Sequence, residues 1–138
     1  MNTKTKPWLS HYDEGVPAEI DIPNITLNEL FKQSVSLNGE LTCIIYQDET
    51  WTYKQVDDLS DRVARYLISK GIRKGDRVGI MGPNTPVFVI AYYGILKAGG
   101  VVMAINPAYR PEEVRNLVIE AGVKIIILPT ELVPAVKT

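Results

Sequence analysis

The run from Gly75 to Val114, GDRVGIMGPNTPVFVIAYYGILKAGGVVMAINPAYRPEEV, constrains this chain more than any other stretch. It spells strand, turn, helix, strand, turn, helix, with punctuation at each junction. Val78–Met81 and Val101–Ile105 are apolar without alternation, the pattern of strands covered on both faces. Thr85-Pro86 and Pro111 are helix starts, and Gly99-Gly100 is a helix stop. Alternating elements with such short connections require parallel strands and right-handed crossovers. The expected fold class is therefore α/β, a layered, mostly parallel sheet flanked by helices.

The flanking sequence extends the same pattern. Thr26 and Glu29 form a capping box, followed by Leu27, Leu30, Phe31 and Val35 at helical spacing and by Gly39 as a stop. Leu41–Tyr46 and Trp51–Tyr53 predict a hairpin around the polar turn Gln47–Thr50. Thr52 with Gln55 caps a second helix, whose core face is Val56, Leu59, Val63, Ala64 and Leu67. Asp57, Asp58, Asp61, Arg62 and Arg65 fall on its other face. The helix Pro86–Ala98 is apolar nearly all round, which predicts burial on most sides. A helix from Pro111 stops at Gly122, and Lys124–Leu128 is the last strand. The short tail after Pro129 offers nothing to close a sheet edge, so that strand is expected to be exposed. Two units follow: an extended arm over residues 1–25, punctuated by Pro7, Gly15, Pro17 and Pro23, and an α/β subdomain over 26–138. Trp8 and Tyr12 are large apolar groups in a polar arm, and are expected to lie on the domain or on a neighbouring subunit.

Several function classes lose support from the totals. A net charge of −1, with acids interleaved among the bases, gives no electrostatic footing for nucleic acid. The single cysteine, Cys43, excludes an internal disulfide and a cysteine zinc site, and a cytosolic setting fits it. The first fifteen or so residues lack the apolar core of a signal peptide. Apolar pieces near Val78–Leu96 are broken by Gly82, Pro83 and Pro86, short of the roughly 20 residues of a membrane span.

Candidate chemistry is sparse. The glycines of GILKAGG sit within and at the end of a helix, whereas phosphate loops lie between a strand and a helix N-terminus. Helix packing and capping account for them. The loop Met81–Pro86 does follow a strand and precede a helix, where α/β ligand sites form, but two prolines remove amide donors. It reads first as a structural turn and second as a ligand contact. Phe88, Tyr92 and Tyr93 could line an apolar ligand pocket, with buried core as the ordinary reading. Asp48-Glu49, Asp57-Asp58 and Glu112-Glu113 are adjacent pairs, which do not face each other on a helix, and read as solvated faces and helix-start charges. His11 stands alone in the arm, without an acid or nucleophile pattern. Cys43 lies in an apolar run and reads as a small core residue. No catalytic or metal-ligating residue emerges, and cofactor-binding residues stay unassigned.

The residues nevertheless resemble a family. From Thr52 to Val114 the chain closely resembles the N-terminal region of adenylate-forming, AMP-binding acyl-CoA synthetases. The resemblance rests on Thr52-Tyr53 opening a helix, Lys74-Gly75-Asp76-Arg77-Val78, Pro83-Asn84, Gly94 to Gly99, and Asn106-Pro107 followed by Glu113. In the arm, Pro7-Trp8-Leu9, Tyr12 and Gly15-Val16-Pro17 resemble the opening of bacterial long-chain fatty-acid–CoA ligases. Each motif alone is weak; their order and spacing, from about Lys6 to the end, are specific.

The resemblance implies a fragment of a longer ligase of long- or medium-chain fatty acids, inactive alone. The implied reaction joins a carboxylate to the α-phosphate of ATP, with Mg2+, and then passes the acyl group to coenzyme A. The family's phosphate loop, nucleotide contacts and mobile-domain lysine have no counterpart here, so no catalytic residue carries over. The implied partners are the rest of the ligase chain and the fatty acid, in a cytoplasmic or membrane-peripheral setting. Two other readings stand beside it: a self-association module or homodimer contact through Trp8 and Tyr12, and a branch of the superfamily acting on aryl or amino acids.

Overall fold

Side-chain caps or first-turn prolines start the α-helices of the computed structural model, which describes residues 6–136. Helix α1 spans Leu27–Asn38. The Thr26 amide donates to Glu29 Oε2 at 2.7 Å, and the Glu29 amide donates to Thr26 Oγ1 at 3.2 Å. Helix α2, Tyr53–Ser69, repeats the device: the Thr52 amide donates to Gln55 Oε1 and the Gln55 amide to Thr52 Oγ1. Helices α3, Pro86–Lys97, and α4, Pro111–Ala121, both open on proline, whose missing N–H costs nothing in a first turn. The Thr85 side chain makes no capping bond; its carbonyl accepts from the Phe88 amide. Before α4, Glu113 Oε2 accepts from the Arg110 amide at 2.7 Å. Gly122 ends α4 at φ 61°, a left-handed conformation natural to glycine.

The described residues form two sheets. Strands β1, Thr42–Tyr46, and β2, Glu49–Thr52, form an antiparallel hairpin in which Tyr46 faces Glu49. The turn is thus shorter than the expected Gln47–Thr50, with Gln47 at φ 53°. Tyr53, expected in the second strand, begins α2 instead, because Thr52 serves as its cap. Strands β3, Arg77–Met81, β4, Val101–Ile105, and β5, Val123–Ile127, form a parallel sheet in the order β4-β3-β5.

That order sets the layers. The chain steps from β3 to β4 in one direction and from β4 past β3 to β5 in the other. Right-handed crossovers in opposite directions put α3 and α4 on opposite faces. On the α3 side, Val78 and Ile80 pack with Ala91, Ile95 and Ala98, and with Ala64 and Leu67 of α2. On the α4 side, Met81, Ile105 and Val114 form a second core. Each fully buried aliphatic side chain, such as Leu67, Val78 or Ile95, contributes about 1.5–3 kcal/mol by leaving water.

One expectation needs correction. The innermost face of α2 is Val56, Ser60, Ala64 and Leu67; Leu59 and Val63 are only half-buried. Ser60 can be fully buried because its hydroxyl donates to the Asp57 carbonyl at 2.9 Å. The absence of a Cβ at Gly94 lets α3 approach this face, where an added Cβ would lie 2.6 Å from Val63 and 3.1 Å from the Ser60 carbonyl. Helix α3 is buried or half-buried along its length, as expected, with Val87 of its first turn, at 66%, exposed. A 3-10 helix over Thr130–Val136 packs Leu132 and Val136 onto the α4-side core, although it adds no strand to the β5 edge.

Candidate functional site

At the carboxyl ends of the parallel strands β3 and β5 lies an apolar cleft of about 370 Å3. Ile80 and Met81 of β3 and Ile127 at the end of β5 form its floor, while Val87, Phe88 and Ala91 of α3 form a wall. The loop singled out in the sequence supplies Gly82, Pro83 and Thr85, and Pro129 closes in from the other side. An added Cβ on Gly82 would meet Pro129 Cδ at 3.2 Å, so glycine lets the two loops pass closely. The strand–turn–helix position is where α/β proteins bind ligands.

Only part of the expected aromatic lining reaches the cleft. Phe88 does; Tyr92 packs into the α2–α3 core. Tyr93 turns away to stack on Phe31 of α1, with ring centroids 4.1 Å apart, and burial pushes its phenol up from the usual value. Helical periodicity explains why Tyr93 faces elsewhere, since it is rotated by about 100° from Tyr92, whereas Phe88 and Tyr92 are one turn apart and both pack toward the same core.

A second, polar cluster lies at the α2–α3 seam. Lys97 Nζ donates to the Asp57 carbonyl at 3.0 Å and to Asp57 Oδ1 and Asp61 Oδ1 at 2.6 Å each. The expectation of Asp57 and Asp61 as purely solvated charges is thus corrected. The Lys97 side chain is only 16% exposed, and the two carboxylates neutralise it. The ammonium group also stands 5.9 Å from the Phe31 ring centre, within cation–π range. Asn28, Lys32 and Arg65 line the adjacent depression, and Asn28 Oδ1 is buried without a hydrogen-bond partner. Its three bonds leave Lys97 no spare donor for a ligand.

The remaining candidates stay apart. His11 is exposed at the end of a 3-10 turn over Pro7–His11. Cys43 is half-buried, and burial raises its thiol above the usual value, which disfavours the nucleophilic thiolate. Asp48-Glu49 sits on the exposed hairpin turn, and Glu112-Glu113 occupies the first turn of α4. Asp76, passed over as a charge among bases, closes the loop before β3. It accepts from the Arg73 amide at 2.8 Å and pairs with Lys124 of β5 at 2.7 Å. The hydrogen bond from Lys124, then that from the Arg73 amide, hold its carboxyl below the usual range.

The apolar cleft does not suit a nucleotide or its metal. The cleft carries no charged side chain, and Thr85 is the one residue of its lining with a polar side chain. A triphosphate calls for cationic side chains or converging amides. Among the described residues, no group of three or more His, Cys, Asp or Glu side chains is placed to hold a metal ion. No helix among them is long and apolar enough to cross a membrane.

Residues 31–138 match the family model of AMP-binding enzymes. The chain belongs to this family. A long-chain-fatty-acid–CoA ligase of Bacillus subtilis is 36% identical over 129 residues, which are 94% of this chain and 23% of the relative. The chain therefore spans about a quarter of that relative's length. The N-terminal domain of FACL13 from Mycobacterium tuberculosis, solved with an inhibitor bound, superposes with a TM-score of 0.74 at 30% identity. That match covers 79% of this chain and 28% of the solved one. The anthranilate CoA ligase AuaEII, solved with anthranoyl-AMP, gives a TM-score of 0.79 at 22% identity, over 85% of this chain and 23% of the other. This last likeness is one of fold alone.

Proposed function

We propose that this chain supplies the N-terminal subdomain of an ATP-dependent long- or medium-chain fatty-acid–CoA ligase, with an arm over residues 1–25 and an α/β layer over 26–138. The observation that carries the reading is the 36% identity to the Bacillus subtilis ligase across 94% of the chain, arm included. The residues of this chain act as scaffold. The β3–β5 sheet and α2–α3 pair fix the shape on which a larger enzyme is built, while the groups that hold ATP, Mg2+ and coenzyme A come from other sequence. The ligase reading brings a cytoplasmic or membrane-peripheral setting and a fatty acid as substrate.

The test has two arms. The 138-residue chain alone should release pyrophosphate from ATP with palmitate or octanoate no faster than a no-protein control. The complete product of the reading frame that carries this sequence should form acyl-CoA from those acids in preference to anthranilate, benzoate or free amino acids. Activity confined to aryl or amino acids would overturn the fatty-acid assignment and favour the second branch, to which the fold of AuaEII also belongs.

The exposed arm favours a second reading, a self-association role. Trp8 remains 54% exposed and Ile20 and Ile22 80% each, an apolar set with no cover of its own. Sedimentation of the chain with and without residues 1–25 separates the readings; a monomer in both would sink self-association.

A further inference from the structure

We draw no further inference here: the strongest candidate, the apolar cleft between the first turn of α3 and the end of β5, carries nothing because nothing in the structure shows what covers it.

Discussion

The α2–α3–sheet layer and the N-terminal arm use the same kinds of residue to opposite effect. Ile95 is fully buried between α2 and β3, whereas Ile20 and Ile22 are 80% exposed. Lys97 is shielded and held by two carboxylates, whereas Lys6 meets Glu19 at 2.6 Å in the open. The sequence treats these residues alike; the difference comes from neighbours. A helix or strand offers a repeating face that another face can cover, and burial gives both apolar groups and ion pairs their worth. An arm with proline breaks has no repeating face.

Four substitutions can break or sharpen that contrast. The largest effect is expected for Ile95→Ala, a loss of about 2–5 kcal/mol through lost burial and a residual cavity. Ile22→Ala should leave the urea midpoint unchanged, and equal losses at the two sites would abolish the distinction. Gly94→Ala comes next. Its new Cβ would lie 2.6 Å from Val63 and 3.1 Å from the Ser60 carbonyl, so overpacking should cost about 1–3 kcal/mol. The double change Gly94→Ala with Val63→Ala should recover part of that loss, measured by thermal unfolding. No recovery would place the strain at the Val63 Cβ and the Ser60 carbonyl, which the double change keeps, rather than at the Val63 Cγ1.

Replacing Lys97 by Met should cost about 1–2 kcal/mol. It leaves the half-buried Asp57 unpaired, and solvent screening at the 47%-exposed Asp61 limits the loss. Lys6→Met should be silent in the same denaturation assay, and raising the salt should not make the two alike. The smallest effect is expected from Asp76→Asn, a slight loss near neutral pH that vanishes in acid. The Asp76 carboxyl titrates below its ordinary value in the folded chain. Its contribution is therefore complete above the unfolded value, about pH 4, and disappears as pH falls through the folded one. The variant should show a flatter decline in stability below about pH 4 than the parent. Parallel acid limbs would mean that the Lys124 contact does not tune this group.

Element positions were largely legible, because the signals are local. Thr26 with Glu29, Thr52 with Gln55, Pro86, Pro111 and Gly122 each act within one helical turn, and all stand at helix ends in the structure. The misreadings share a different cause. Ser60 looked polar and was left off the core face, yet a hydroxyl that bonds back to the Asp57 carbonyl can be buried. Asp57 and Asp61 looked solvated because their partner, Lys97, lies on the next helix but one strand away in sequence. The cleft was visible only as a loop between β3 and α3; its far wall comes from β5 and Pro129.

By itself the sequence determined the α/β class, the element order and the family resemblance, since capping, proline placement and apolar runs act over a few residues. Tertiary structure alone decided that β5 lies beside β3 rather than beyond β4, which puts α3 and α4 on opposite faces. It also decided that Phe31 meets Tyr93, and that Gly75–Val114 carries an apolar cleft rather than a polar one. The physical reason is that strand order and helix approach depend on which faces are left to cover once every element has formed, and no single segment encodes that remainder.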